Sequence, residues 1–260
     1  MRAISLAKFE EGVVNEDAAI AKENMIVVSD GAGGGGVFAE RWSQYLVEHL
    51  PEKAIKNYKA FDKWIDGIWE PFYNECEEEA KNIGGLFLNK FYDEGSFATI
   101  VAVWKDGKWM SYGDSVAFCY NKKTCELQHS FTRLADFNNP PYLINCKDPL
   151  NENGFRKGQF EFNNDSVVFA TSDTLAHYIL MMYELAHSDI YKDELQEAVN
   201  AQTKNSNMIK SAMRLRKIDF AKDVIQKLEN CKYEKQLISH IGRLKRWGFI
   251  GHDDYSLVIM

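Results

Sequence analysis

Met25-Ile26-Val27-Val28-Ser29-Asp30-Gly31-Ala32-Gly33-Gly34-Gly35-Gly36 is the stretch from which the fold is read. Its apolar, largely β-branched start predicts a buried strand over Met25 to Val28. Asp30 falls at the end of that strand, where a sheet edge opens to solvent. Glycines at 31 and 33 to 36 let the backbone turn tightly and approach a ligand closely. A helix is predicted from Val37 onward. Three readings fit. Gly31, Gly33 and Gly36 have the G-x-G-x-x-G spacing of a dinucleotide site, with a pyrophosphate on the helix N-terminus. Asp30 would repel that pyrophosphate, and helical periodicity runs past residue 80 with no second strand near 55. No Lys-Ser or Lys-Thr follows the glycines, so the phosphate loop of nucleotide hydrolases fits poorly. The second reading is a carboxylate ligand on a glycine-flanked turn, which suits hard cations such as Mg²⁺ and Mn²⁺. The third is a glycine-rich turn with a solvated Asp.

The 260 residues, 45% hydrophobic and 27% charged, suit one large globular domain or two small ones. A formal net charge of -7 argues against a general nucleic-acid binder. No apolar run has bilayer-crossing length. Met1 to Lys8 is too short and too soon charged for a signal peptide. Cys76, Cys119, Cys125, Cys146 and Cys231 are an odd set without a CxxC pair, read as reduced thiols in a cytoplasmic protein.

Outward from the opening stretch, residues 2 to 9 predict a first strand, and Lys22-Glu23-Asn24 a hairpin turn into the Met25 strand. Glu16-Asp17 and Asp30 therefore lie on neighbouring strands. Phe38, Trp42, Leu46 and Leu50 mark a helix that Pro51 ends. Phe61, Ile65, Ile68, Phe72, Cys76 and Ala80 predict one longer helix whose Glu75 and Glu77 to Glu79 form a solvated face. Gly84 to Gly95 reads as a loop. Ser96 to Trp104 and Trp109 to Tyr120 read as strands joined at Lys105-Asp106-Gly107-Lys108, with Glu126 to Phe131 pairing back. Such a meander points to antiparallel sheets rather than alternating βαβ units. Residues 132 to 164 are irregular, with a short strand at Gln159 to Phe162. Asp165 to Asp173 repeats the opening order of strand, Asp, helix. Residues 189 to 247 are mostly helical, and Arg243, Lys245 and Arg246 read as charge balance at a helix C-terminus. Tyr255 to Met260 is the last strand.

Asp17, Asp30, Asp173 and Asp253 thus stand beside predicted strands. Six pieces occur in order: Asn15-Glu16-Asp17-Ala18, Val28 to Gly34, Gly95-Ser96, Gly113-Asp114-Ser115, Phe169 to Asp173, and Asp253 to Val258. In these the chain resembles the type 2C metal-dependent Ser/Thr protein phosphatases, the PPM family, over nearly its whole length. The resemblance implies an α+β fold: a four-layer α-β-β-α sandwich of two antiparallel sheets flanked by helix pairs, in a single catalytic domain spanning 1–260. It implies two Mn²⁺ or Mg²⁺ ions, with Asp30 bridging them and the Gly31 carbonyl on one. Asp173 and Asp253 complete the other ion's shell, and Glu16 and Asp17 act largely through bound waters. Asp30, Asp17 and Glu16 are then the catalytic carboxylates, and Asp114 the ligand of a weaker third ion. The implied reaction is hydrolysis of phosphoserine and phosphothreonine monoesters in phosphoprotein substrates; the composition adds the expectation of a cytoplasmic monomer without nucleic-acid or membrane partners. The rival is a weak or inactive module that binds metal and phosphoproteins.

Departures from the pattern define the rival. Gly12 stands where family members usually carry a phosphate-gripping Arg, and Lys8 is the nearby cation read as its substitute. Ala32 stands where some members have a proton-donating His. Thr174 replaces a usual Gly, and His177 a position where an Asp often helps the third ion.

Overall fold

Strands β1 (Arg2–Leu6), β2 (Ala18–Lys22) and β3 (Met25–Ser29) open the chain in a computed structural model that describes residues 1–34 and 36–260. Gly35 of the glycine run lies outside the described residues. Lys22 pairs with Met25 and Ala18 with Ser29, so the predicted hairpin forms around a two-residue turn. Helix α1 (Ala39–His49) starts two residues later than read, because Phe38 caps it in the left-handed region at φ 57°.

The predicted long helix is two helices, α2 (Tyr58–Asp66) and α3 (Trp69–Ile83). Pro71 explains the break. In a continuous helix its ring would clash with the Gly67 carbonyl, and it has no N–H to donate there. In the first turn of α3 the missing donor costs nothing. The apolar stripe survives the break, with Phe61, Ile65, Phe72, Cys76 and Ala80 all buried. Gly84 to Gly95 is not a loop. It holds helix α4 (Gly85–Glu94), and its glycines at 84, 85 and 95 take positive φ at the ends rather than interrupting the middle.

Ser96 to Trp104 is likewise two strands, β4 (Phe97–Ala98) and β5 (Ile100–Trp104), parted at Thr99. Trp109 to Tyr120 splits into β6 (Lys108–Tyr112) and β7 (Val116–Asn121). These two belong to different sheets, and Gly113-Asp114-Ser115 is the crossing between them. Gly113 has φ +95°, and a Cβ there would meet Thr99 at 2.7 Å. Next come β8 (Glu126–His129), β9 (Ile144–Asn145) and β10 (Phe155–Gln159), the last lying earlier than the predicted Gln159 to Phe162. Then β11 (Ser166–Thr171) leads into α5 (Asp173–Ala186). Helices α6 (Lys192–Asn200) and α7 (Lys204–Ala212) follow, then a π-helical turn (Ala221–Ile225) running into α8 (Gln226–Asn230). Helix α9 (Glu234–Trp247) precedes β12 (Tyr255–Ile259).

One sheet has the order β1-β12-β11-β7-β8 and the other β10-β6-β5-β3-β2, with antiparallel pairing throughout. Strands β4 and β9 form a small third ladder. Three apolar layers hold the stack. Ile26, Val28, Val101 and Val103 meet Ala117, Val168, Ala170 and Val258 between the sheets. Their neighbours of opposite parity, such as Val27 and Ala102, face α1 to α4. Phe118, Phe169 and Leu257 face α5 to α9. Strands buried on both faces explain why these runs are continuously apolar rather than alternating. The α+β four-layer sandwich is thus present, with outer layers of several short helices. No helix among the described residues is long and apolar enough to cross a membrane.

The inter-sheet layer is thin and fully buried, so truncation there has nothing to collapse onto. Ile26→Ala should lower unfolding free energy by about 2–5 kcal/mol in urea titration, whereas Ile238→Ala, 43% exposed on α9, should change it by less than about 0.5 kcal/mol. Equal losses at the two positions would contradict this layering.

Candidate metal centre

Register alone brings the acidic residues to one end of the sandwich. Ala18 pairs with Ser29, so Asp17 and Asp30 leave the β2–β3 hairpin side by side. Thr171 pairs with Leu257 and with Val116, so Asp173, Asp253 and Asp114 emerge from neighbouring strands at the same end. Leu6 pairs with Tyr255, which carries Lys8 there as well. Lys8, Glu16, Asp30, Gly31, Asp114, Asp173 and Asp253 all line one cavity of about 310 Å³. Asp17 does not line the cavity; it is 7% exposed, and near enough for its charge to act on Asp30 and for the charge of Asp173 to act on it. All the carboxylates predicted from the sequence are therefore brought together.

Backbone contacts fix the Asp30 turn. The Gly31 N–H donates to the Glu16 carbonyl at 3.1 Å, and the Thr99 N–H donates to the Asp30 carbonyl at 2.8 Å. The Asp30 N–H reaches Thr99 Oγ1 at 3.3 Å, and that hydroxyl meets Ser115 Oγ at 2.7 Å. Gly31 is required for space. A Cβ there would lie 2.4 Å from the Glu16 carbonyl oxygen and 2.7 Å from that of Ala39, both backbone atoms. A Cβ at Gly36 would meet the Gly95 carbonyl oxygen at 2.6 Å, so Gly31 and Gly36 serve close backbone packing beside a carboxylate.

The electrostatics are those of crowded acids largely withdrawn from solvent, Asp17 buried and the others half-buried. Burial, then the charges of Asp17 and Asp173, push the Asp30 carboxyl well above the ordinary carboxylate range. Burial does the same to Asp17, opposed in part by the nearby Ser172 and Ser256 hydroxyls. Neither Asp17 oxygen has a hydrogen bond of good geometry. Asp114 is pushed up to about 8, by burial and then by Asp173. Asp173 is pushed up to about 6, by burial and then by Asp253. Asp253 and Glu16 are raised mainly by burial. Lys8 is the basic residue among the described lining residues, with Nζ 3.6 Å from Glu16 Oε2.

This donor set fits hard divalent cations. It offers carboxylate and backbone oxygens, no sulfur, and a buried carboxylate whose oxygens lack partners. Among the described residues, no three His, Cys, Asp or Glu side chains close up tightly enough to hold an ion alone. Ligation here would need water and backbone oxygens as well, as Mg²⁺ usually does.

Several residues escape the sequence reading. Asp254, buried beside Asp253, ties the N-terminal loop to β12. Its Oδ1 accepts from the Lys8 N–H at 2.6 Å and its Oδ2 from the Glu16 N–H at 2.6 Å. The Asp-Asp doublet was visible in the sequence, but nothing there assigned the second acid to the backbone. Pro141 and Leu143 close the cavity from the irregular stretch. Arg156 on β10 has a buried Nη1 without a partner and opposes the rise of Asp114. His177 does not line the cavity. It is buried edge-on to Phe137 at 5.5 Å, and burial lowers it to about 4. Gly12 sits in an exposed turn at φ +78°.

No family model and no curated protein matches the sequence. Solved structures do match. The Mycobacterium tuberculosis serine/threonine phosphatase PstP/Ppp gives a TM-score of 0.53 at 14% identity, over 99% of this chain and 96% of that one. The catalytic domain of PstP in complex with two manganese ions gives 0.50 at 14% identity, over 99% and 95%. MsPP, a PPM Ser-Thr phosphatase from Mycobacterium smegmatis in complex with cacodylate, gives 0.50 at 13% identity, over 99% and 96%. The chain has the fold of the PPM-type Ser/Thr phosphatases.

Two predictions come from this geometry. Carboxyls with raised pKa bind protons more tightly folded than unfolded, so their stability is lost as pH rises above the ordinary ~3.9 and through the values near 6 and 8 of Asp173 and Asp114. In chelator, Tm should therefore fall between about pH 5 and 8, and added Mn²⁺ should raise Tm more at the upper end. A Mn²⁺ shift independent of pH contradicts this. Separately, Gly31→Ala should displace Asp30 and weaken Mn²⁺ binding by about 10-fold or more in calorimetry. Unchanged affinity would mean the close approach at Gly31 plays no part.

Proposed function

We propose that the chain is a metal-dependent phosphomonoester hydrolase acting on phosphoserine and phosphothreonine in proteins. The observation that carries this reading is the convergence of Asp17, Asp30, Asp114, Asp173 and Asp253 at one end of a PPM-type sandwich. Manganese in the PstP catalytic domain supports a divalent cation. Bound Mn²⁺ or Mg²⁺ would supply an activated water and neutralise phosphoryl charge.

The chain's own residues then divide the work. Asp30, Asp173 and Asp253, with the Gly31 carbonyl, would hold the cations. Asp17 and Glu16 would orient water beside them, and Asp114 would hold a weaker third ion. Lys8 would bind the substrate phosphoryl oxygens, since its 3.6 Å contact with Glu16 is loose enough to exchange. A lysine provides a point charge rather than a two-pronged guanidinium, so phosphate is gripped less specifically. Ala32 adds no acid.

A second reading, a weak or inactive module that binds metal and phosphoproteins, rests on Gly12. The turn that usually presents an arginine here presents no side chain.

One assay separates the two. Purified chain should hydrolyse an aryl phosphate and a phosphothreonine peptide with Mn²⁺, and chelator should abolish turnover. Asp30→Asn should lower kcat/KM by about 100-fold or more, and Lys8→Ala should raise KM by about 10-fold with a smaller change in kcat. Full activity in Asp30→Asn refutes the hydrolytic mechanism, and background turnover by the wild-type chain favours the binding module.

A further inference from the structure

A second cavity of about 390 Å³ lies away from the carboxylates, among the helices of the other outer layer. Tyr178 and Met182 of α5, the Leu215–Lys217 segment, the π-helical turn, α8 and α9 wall it. Its volume is within the range of small-molecule sites, which are typically about 300–1,000 Å³.

The lining has a charge opposite to that of the whole chain. Lys217, Lys227 and Arg243 face Asp223 as the one acid among the described lining residues, whereas the chain carries a net -7. None of the three cations makes an ion pair among the described residues. Of the three basic residues read as helix-end charge balance, Lys245 and Arg246 lie in the last turn of α9, and Arg243 lies before it. Of its neighbours, Lys245 lies over the Phe9 ring at 5.0 Å, and Arg246 Nε donates to the Gly242 carbonyl at 3.3 Å. Only Arg243 is turned to the cavity.

The rest of the lining is aromatic and apolar. Trp247 is 59% exposed and packs against Phe249 with ring centroids 5.7 Å apart. An exposed indole beside cations is an anchor for a flat ring. His240 also lines the cavity, is 4% exposed, and has an Nε2 without any hydrogen-bond partner. Burial, then the charges of Arg243 and Lys227, lower it to about 4, so it is held as a neutral imidazole. A buried polar nitrogen without a partner is costly in a protein that gains nothing from it. A π-turn on the wall is a further irregularity of the kind found at functional sites.

We propose that this cavity binds a small organic phosphate carrying a planar ring, of the nucleotide class. The phosphates would meet Lys217, Lys227 and Arg243, and the ring would lie against Trp247. The site shares no lining residue with the carboxylate centre and does not rest on the phosphatase reading.

Calorimetric titration of the full chain in chelator tests it, with ADP as the probe and inorganic phosphate and decanoate as separate arms. ADP should bind with Kd below about 1 mM. Phosphate and decanoate should bind at least about 10-fold more weakly, because each has half of the required chemistry. Lys227→Ala and Trp247→Ala, both exposed positions that leave the fold intact by Tm, should each weaken ADP by about 10-fold. Asp30→Asn should leave ADP affinity unchanged. No ADP binding, or decanoate or phosphate binding as tightly as ADP, overturns the proposal. So does ADP binding that ignores Lys227 and Trp247, or that is lost in Asp30→Asn, since the ligand would then sit elsewhere.

Discussion

Like charges gathered at one end of a β-sandwich repel one another, and burial makes each of them harder to ionise. The effective cost of burying an ion is several kcal/mol, and here Asp17 is buried with the half-buried Asp30, Asp114 and Asp173 close around it. A fold tolerates such an arrangement only if protons or cations offset it. Everything else at this end of the molecule serves to hold the acids in place against that repulsion. Two sheets buried on both faces supply a rigid base, and antiparallel register delivers each acid at a strand terminus.

The rigidity comes from the backbone as much as from side chains. The Glu16 carbonyl is pinned by the Gly31 N–H and by Ser43 Oγ at 2.5 Å. Asp254 uses both oxygens on backbone donors of the N-terminal loop, so it is committed to structure while Asp253 next to it faces the cavity. Adjacent acids with opposite assignments show why a count of carboxylates is a poor guide to a site. What a carboxylate can do depends on whether its oxygens are already occupied.

Much of this was legible from residue order. Strand runs ending in Asp30 and Asp173, and one beginning after Asp253, fixed the acids at strand ends, and antiparallel turns placed those ends together. Several features were not legible, each for a physical reason. The break at Gly67 follows from a proline four residues later, a clash that apolar periodicity does not register. The α4 helix was obscured by glycines that lie at its boundaries. Trp109 to Tyr120 reads as one strand because both halves are apolar, yet a positive φ at Gly113 sends them to different sheets. Asp254 and Arg156 depend on contacts across more than 40 residues, which no local pattern encodes.

The two cavities have no lining residue in common, but two stretches of chain run from one to the other. Helix α5 begins at Asp173 and presents Tyr178 and Met182 to the second cavity further along its length. Trp247 and Phe249 lie within six residues of Asp253 along the segment that leads into β12. A shift of either element in its socket would therefore move an acid at the first cavity. Such a shift transmits an effect only if a ligand has different affinities for the two positions of the element. Helices packed on a sheet by Leu175, Ile179 and Leu244 have few ways to move except as units, so coupling of this kind would act on Asp173 and Asp253 and leave the β2–β3 hairpin with Asp17 and Asp30 in place.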